Sequence, residues 1–478
     1  QYFSVMVDLI LSNAHVVDPH NKTNGLFDLS VTKGKIDSVK QHSDSSKAEV
    51  VIDLKGNLAI PGHIDTHAHL SNVGGDTWNK DNSYGHKMIA ESGTTTVLDL
   101  AGNPSIMSEG MKRRGAGLNV ACITGLQPGE TIPSENPTMD VIRDVVNREK
   151  KNGAIGLKIL GGYHPLSPEI TSDIIFQANN QQAWIALHVG TKDAGSNILG
   201  LREVPEITDK GRLHVAHINS YARGLINTVE EESSEALDLI IKMRSQWVTE
   251  AYLASFNGTN GLCDEDGNVV FDVARNCLTI RGYEPNEKGI RKALSEGYGA
   301  ALVLKDERMG LITGEDAINI WESNLTNQAF CFPVNSPVSA FKLTTAKYSD
   351  EEFIVDAIST DGGAVPRNVA IEKTMSLVKF GALSLNEAVV KLSYNPSKML
   401  GLLNRGHFSE GAEADITVID QSLGKAVMSF VNGKMIMKDG KSVADGGNWL
   451  ILSEGKETAE NSGLPYEIID LSKSKLYL

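Results

Sequence analysis

The sequence predicts an α/β fold, a closed (β/α)8 barrel carrying a small β-sandwich built from both chain ends. Three observations predict it. Eight apolar strand candidates alternate with helical stretches through the middle of the chain, and both ends are rich in short strands. At 478 residues the chain also exceeds the roughly 250 that one such barrel needs, leaving room for an accessory domain.

The N-terminal part, residues 6–59, opens with the apolar runs Asp8-Leu9-Ile10-Leu11 and Ala14-His15-Val16-Val17, followed by the turn cluster Asp18-Pro19-His20-Asn21. Residues 28–31, 34–36 and 50–53 repeat the design. The C-terminal part with its tail, residues 401–478, has the same texture: 415–419, 426–431 and 434–437 read as strands, with Asn432-Gly433 as a hairpin turn. Two β-rich ends around an α/β middle imply that the ends build one domain together.

The middle, residues 60–400, supplies the barrel. Its strand candidates are 60–69, 95–100, 118–124, 154–159, 184–188, 213–218, 247–250 and 353–358. Helical patterns lie between them, for example at 138–150 and 234–243, and Ser384-Leu385-Asn386-Glu387 is a capping box ahead of another helix. An open doubly wound sheet is the competing architecture, but no Gly-x-Gly-x-x-Gly turn follows the first strand. Residues 257–348 are too long for one connection and read as an insertion over the mouth of the barrel.

Composition narrows the partners. A net charge of −15 disfavours nucleic acid and anionic membrane. No apolar run approaches the roughly 20 residues that span a bilayer. Residues 1–5 read as ragged leader, and the start of the chain lacks the basic region of a signal peptide. The four cysteines, Cys122, Cys263, Cys277 and Cys331, form no C-x-x-C pair and suit a reducing cytoplasm; only Cys263 and Cys277 are spaced to reach each other across a loop.

Barrels build their sites at the C-terminal ends of the strands, so polar residues there carry the functional reading. In Pro61-Gly62-His63-Ile64-Asp65-Thr66-His67-Ala68-His69, side chains two apart on a strand point the same way, so His67 and His69 face the axis together. His188 and His217 end two later strands, and Asp361 in Ser359-Thr360-Asp361-Gly362-Gly363 ends the last. An isolated strand histidine is more often a satisfied core residue than a ligand. Four histidines and an aspartate, each ending a strand of one barrel, are hard to explain that way. His214 has the opposite parity to His217, so only one of the two is expected to face inward; His217 is taken as the site residue and His214 as structural.

Lys158 is the most informative residue. It lies near the end of an otherwise apolar strand, where a bare ammonium is costly to bury. Pairing with an acid is the ordinary solution. Alternatively, burial lowers its pKa, and the neutral amine adds carbon dioxide to give a carbamate able to bridge two metals.

Together these motifs resemble the amidohydrolase superfamily, in its two-metal branch of hydantoinases, dihydroorotases and N-acyl-D-amino-acid deacylases. The resemblance runs from about Asp8 to Gly440. It takes in Gly34-Lys35-Ile36, Ile52-Asp53 with Gly56, Pro61-Gly62, the candidates above, Asn395-Pro396-Ser397-Lys398 with Leu400-Gly401-Leu402, and Gly411-Ala412-Glu413-Ala414-Asp415-Ile416. It implies that His67, His69 and Asp361 hold one divalent metal, that His188 and His217 hold the other, and that carbamylated Lys158 bridges them. Zinc is the metal it implies, with Asp361 shuttling the proton of the attacking water. Tyr163, five residues after Lys158, stands where hydantoinases carry a tyrosine that steadies the oxyanion; packing on the rim is the other reading.

The pattern breaks in two places. Dihydroorotases follow H-x-H with x-Arg, whereas Leu70 and Ser71 stand here, with Gly74-Gly75 beyond. Hydantoinases follow the metal aspartate with His and a Pro-Phe pair, whereas Gly362-Gly363 follow Asp361. Arg223 and Arg367 are candidates for a substrate carboxylate, or ordinary arginines. The expectation is a cytoplasmic homo-oligomer that hydrolyses a small cyclic amide. The alternatives are the same chemistry on a linear amide, a one-metal deaminase, and a non-catalytic scaffold, the last disfavoured by the intact set of candidates.

Overall fold

The structure, a computed structural model, describes residues 6–70 and 83–478. Ser71, the Gly74-Gly75 turn and residues 1–5 lie outside the described residues. Eight parallel strands make the barrel: β1 His63–His69, β2 Thr94–Gly102, β3 Leu118–Leu126, β4 Gly156–Leu160, β5 Trp184–His188, β6 Leu213–Val215, β7 Trp247–Tyr252 and β8, which runs in two pieces, Ala357–Ser359 and Gly362–Gly363. Each strand pairs in parallel with the next. The first piece of β8 pairs with β7 (Glu250 opposite Ala357) and the second with β1 (Gly362 opposite Ala68), which closes the ring.

Both faces of every barrel strand are covered, which is why the strands read as continuous apolar runs. One parity faces the helices: Leu157, Ile159, Ile185, Leu187, Leu213 and Val215 share a core with Val145, Ile174, Leu201 and Ile240 of the outer layer. The other parity faces the axis and carries Lys158, Ala186 and His188. The helices begin where side chains satisfy their free N–H groups. Thr138 caps Met139–Lys151, Thr228 and Glu231 form a capping box ahead of Val229–Lys242, and both bonds of the Ser384/Glu387 box are made ahead of Leu385–Val389. No helix among the described residues is long and apolar enough to cross a membrane.

The chain ends meet in one nine-stranded sheet. Its seam is Ile416–Asp420, antiparallel to Leu58–Pro61. The long strand Val7–Asp18 pairs along its first half with Ala48–Asp53 and along its second with Leu58–Pro61, with a register shift between Leu11 and Ala14. The sheet forks there around a core drawn from both ends, including Leu11, Val16, Val31, Ile416, Val418 and Phe430. The stretch expected as one strand over 60–69 is thus two strands in two sheets. Gly62 makes the break, because a Cβ there would stand 2.2 Å from Thr95 Oγ1.

The last residues leave that sheet for the barrel. Gly447–Ile451 runs parallel to β3, and Leu450, Leu452, Ile469, Leu471 and Leu476 pack with Ile64, Trp184 and Val248 at the N-terminal ends of the strands. Asp415 sits at the junction: it accepts from Asn119 Nδ2 (2.9 Å), Arg405 Nε (2.8 Å) and Asn432 N (2.9 Å), while Arg405 also grips Glu467 of the tail (2.7 Å). Between β7 and β8 stands a separate four-stranded antiparallel sheet (Asn257–Asn260, Ala300–Lys305, Arg308–Ile312, Ala329–Phe332) with its own core around Trp321, Phe330 and Phe332. All four cysteines are free, so the Cys263–Cys277 bridge is not formed.

Candidate metal centre

His67, His69, Lys158, His188, His217 and Asp361 converge at the C-terminal mouth of the barrel. All are buried, and all but His67 line one cavity together with Tyr163 and Arg367. Asp361 Oδ1 lies 2.9 Å from His69 Nε2 and 3.1 Å from His67 Nε2, and Lys158 Nζ lies 3.1 Å from the same His67 nitrogen. The rings of His67 and His217 stack at 4.9 Å between centroids, and those of His188 and His217 meet edge to face at 4.6 Å. One donor atom from each of His67, His217 and Asp361 lies within 4.8 Å of the others.

Two of these residues reach the site through unusual backbone. His217 and Asp361 have φ of +33° and +48°, a region that costs energy for residues other than glycine and recurs at functional sites. At Asp361 the turn interrupts β8. At His217 it corrects the parity expectation. The strand ends at Val215, so strict alternation lapses, and both histidines face inward. His214 lies deeper, accepting from Trp184 Nε1 (3.3 Å) with Nε2 3.3 Å from Glu250.

Glu250, at the C-terminal end of β7, is the residue that sequence reasoning missed. It accepts from His67 Nδ1 (2.7 Å), the His217 backbone N–H (2.6 Å) and Ser359 Oγ (2.5 Å). Burial alone would raise its carboxyl, but His67 and His214 outweigh burial and hold it well below the usual range. The bond to Nδ1 fixes the His67 tautomer and leaves Nε2 facing Asp361 and Lys158. The signal was present: an acid ends a barrel strand, the same rule that singled out the histidines. Asp65 is a second buried acid beneath the site. It accepts from the backbone of His67 (3.0 Å) and from Thr360 Oγ1 (2.5 Å), tying β1 to β8, and burial pushes its carboxyl up to about 7.

Burial depresses the neighbouring bases. His69 is lowered to about 4, and His188 and His217 lie well below the usual imidazole range. Lys158 falls to about 8 through burial, with Asp361 and Glu250 limiting the drop. Asp361 goes the other way. Burial would raise it, but Arg367 and then His67 hold it well down. Arg367 is fully buried, with Nη2 2.8 Å from Asp361 Oδ2, Nε on the Asp361 carbonyl and Nη1 on the Phe256 carbonyl (3.2 Å).

The insertion reaches the rim. Tyr163 donates its hydroxyl to the Gly258 carbonyl (3.1 Å), with its ring 5.5 Å from His188. Gly162 before it is obligatory, because a Cβ would stand 2.4 Å from His188 Nε2. That nitrogen bonds Ser196 Oγ (2.9 Å), and Ser196 N donates to Asp272 of the insertion (2.7 Å). Arg223 lies apart from the cluster, on Ser220, Tyr252 and Asn335.

Residues 344–443 match the amidohydrolase family. The dihydroorotase of Elusimicrobium minutum (strain Pei191) is 24% identical over 451 residues, covering 86% of this chain and 88% of its own. Among solved structures, a D-aminoacylase studied for its binuclear metal center superposes with a TM-score of 0.64 at 17% identity, over 92% of this chain and 99% of its own. Dihydropyrimidinase from Brevibacillus agri NCHU1002 superposes with a TM-score of 0.60 at 15% identity, over 92% and 97%. The chain thus carries an amidohydrolase-family match over residues 344–443, is similar along most of its length to a dihydroorotase, and shares its fold with dihydropyrimidinase and D-aminoacylase.

Proposed function

We propose that this chain is a binuclear, zinc-dependent amidohydrolase that opens the C–N bond of a small cyclic amide, of the hydantoin or imide kind. The observation that carries the reading is Lys158. It is fully buried in a barrel strand, 3.1 Å from His67 Nε2, and among the described residues it has no ion-pair partner. A bare ammonium is costly to hold beside the His67 nitrogen and the other imidazoles that line the cavity. Burial instead favours its free amine, the form that adds carbon dioxide and releases a proton to become a carbamate.

The donor set suits such ions. Burial keeps His69, His188 and His217 neutral, with lone pairs to donate, and Glu250 orients His67. His67, His69 and Asp361 would hold one ion, His188 and His217 the other, and the Lys158 carbamate both. Bound there, the ions would supply Lewis acidity and a water acidic enough to attack at neutral pH. Asp361, kept ionised by Arg367, would accept that water's proton and return it to the leaving ring nitrogen. Tyr163 would turn its hydroxyl from the Gly258 carbonyl to the substrate carbonyl oxygen as charge builds there.

Hydrolysis of a linear N-acyl amino acid is the second reading, favoured by Gly362-Gly363 after Asp361 and by the D-aminoacylase-like fold. A one-metal deaminase would need a glutamate facing the cavity, whereas Glu250 lies beneath it, on His67 and the His217 backbone. Elemental analysis of zinc-loaded protein should return about two ions per chain. A panel of hydantoins, dihydropyrimidines and N-acyl amino acids should show ring opening before amide cleavage. One ion with deamination, or no turnover of any ring, would sink the main reading. The proposed setting is a cytoplasmic homo-oligomer, which light scattering would check for size.

A further inference from the structure

Two residues stand in the break of β8, Thr360 and Asp361, between Ala357–Ser359 and Gly362–Gly363. Asp361 is held at φ +48°, and left-handed backbone is costly for a residue with a Cβ. Hydrogen bonds on both sides of it hold the turn. Asp361 N donates to the His67 carbonyl (2.9 Å) and Thr360 N to Asp65 Oδ1 (3.2 Å). The Thr360 hydroxyl donates to Asp65 Oδ2 and accepts from Gly362 N (2.9 Å). Thr360 Oγ1 therefore bridges Asp361, tied to β1 on one side and to the chain beyond the turn on the other. Asp65 Oδ1 also accepts from His67 N (3.0 Å), so one carboxylate sets the turn against the strand that carries His67 and His69.

The preceding hydroxyl points the opposite way. Ser359 Oγ donates to Glu250 of β7 (2.5 Å), so consecutive residues tie the end of β8 to the strand on each side. The device recurs at the other left-handed candidate ligand, where His217 N donates to Glu250 (2.6 Å). In both places a buried carboxylate from a neighbouring strand takes a backbone N–H at the turn. Asp65 and Thr360 are fully buried, and neither lines the metal cavity. The three bonds to Asp65 come from neutral N–H and O–H groups, while Arg367 takes the charge of Asp361. Direction and charge at Asp361 are thus held by different residues.

We infer that Thr360 and Asp65 are positioning residues: the Thr360 hydroxyl, seated on the Asp65 carboxylate, sets the left-handed turn that aims Asp361 at the His67 and His69 nitrogens. Loss of the hydroxyl leaves Gly362 N and Asp65 Oδ2 without their partner. The turn then relaxes toward extended backbone and carries the Asp361 carboxylate off its two imidazoles. What Asp361 does once aimed rests on the amidohydrolase reading above; the aiming does not.

Two substitutions of Thr360 separate this role from packing. Thr360→Val keeps the shape and loses the hydroxyl; Thr360→Ser keeps the hydroxyl and loses a methyl. Zinc affinity of the full chain, from chelator competition, is read beside kcat and KM for a hydantoin. Thr360→Val should bind zinc about 10- to 100-fold more weakly, as when the support of a ligand is removed. Its kcat should fall about 100-fold with KM within about twofold, the effect of a reacting group misplaced by about 1 Å. Thr360→Ser should hold zinc affinity and kcat within about threefold of wild type, since its hydroxyl makes the same bonds. Packing alone predicts the reverse order, because Thr360→Ser is the change that leaves a gap. Asp65→Asn keeps the test open if Thr360→Val does not fold. It puts a donor where the hydroxyl needs an acceptor, so zinc affinity and kcat should each fall about tenfold. Thr360→Ser no better than Thr360→Val, or zinc affinity and kcat unmoved in both Thr360→Val and Asp65→Asn, overturns the inference. If zinc affinity separates Thr360→Val from Thr360→Ser while wild type opens no ring, the positioning stands and the cyclic-amide reading falls.

Discussion

Among the described residues two lysines of this barrel are buried completely, one at each end, and they differ in company. Lys158, at the C-terminal mouth, borders a cavity and lies against an imidazole nitrogen. Lys391, beneath the N-terminal end of β8, donates to the Val355 carbonyl and sits 4.6 Å over the Phe353 ring, away from the cavity of the mouth. Burial depresses both, to about 8 and about 7. A buried amine of lowered pKa is therefore not in itself a functional signal. What separates the two is the chemistry within reach of the nitrogen: four imidazoles and a carboxylate around Lys158, a carbonyl and a ring around Lys391.

Methionine at each position puts the contrast to a direct test. Lys158→Met should remove most of the activity, about three orders of magnitude or more, and reduce bound zinc below two ions per chain. Lys391→Met should keep the zinc content and stay within about twofold in turnover, since nothing near it touches the cavity. Equal losses in the two variants would mean that Lys158 serves the fold and not the metals. Glu250→Gln is the smaller perturbation of the same end. It keeps the shape but weakens the acceptor that orients His67, so zinc affinity should fall about 10- to 100-fold with the fold retained. Unchanged affinity in a zinc-chelator competition would remove Glu250 from the site.

Much of this was legible because it is local. Alternation of apolar strands with helices gives the barrel, and a two-residue spacing puts His67 and His69 on one face. Asn432 and Gly433, at φ of +49° and +72°, adopt the tight turn that their sequence announces. What stayed hidden depends on partners remote in the chain. Strand texture alone does not say which sheet a strand joins, so the move of Gly447–Ile451 onto β3 was not readable. Alternation also stops being informative where a strand stops. His217 turns inward through a left-handed residue, and His214 keeps its own inward place one layer below. Arg367 gave no local sign that it would close on Asp361, because that pair forms only once β8 breaks.

The smallest expected effect falls on the quiet lysine and reads stability instead of catalysis. Folding lowers Lys391 from the ordinary 10.5 to about 7, chiefly through burial, against the pull of Asp356. Below about 7 the amine is protonated in both states, and the full cost of the buried charge weighs on the folded chain. Between 7 and 10.5 the unfolded chain holds a proton that the folded chain has released, so this residue makes stability rise with pH. Above that window the cost is gone. Lys391→Met should accordingly be more stable than wild type at pH 6, by on the order of 1–3 kcal/mol once the lost bond to Val355 is discounted. The gap should close as the pH approaches 10. Thermal melts of the two proteins across that range decide the matter. Parallel curves would mean that the Val355 carbonyl and the Phe353 ring hold Lys391 charged throughout, and burial would then affect the two lysines in opposite ways.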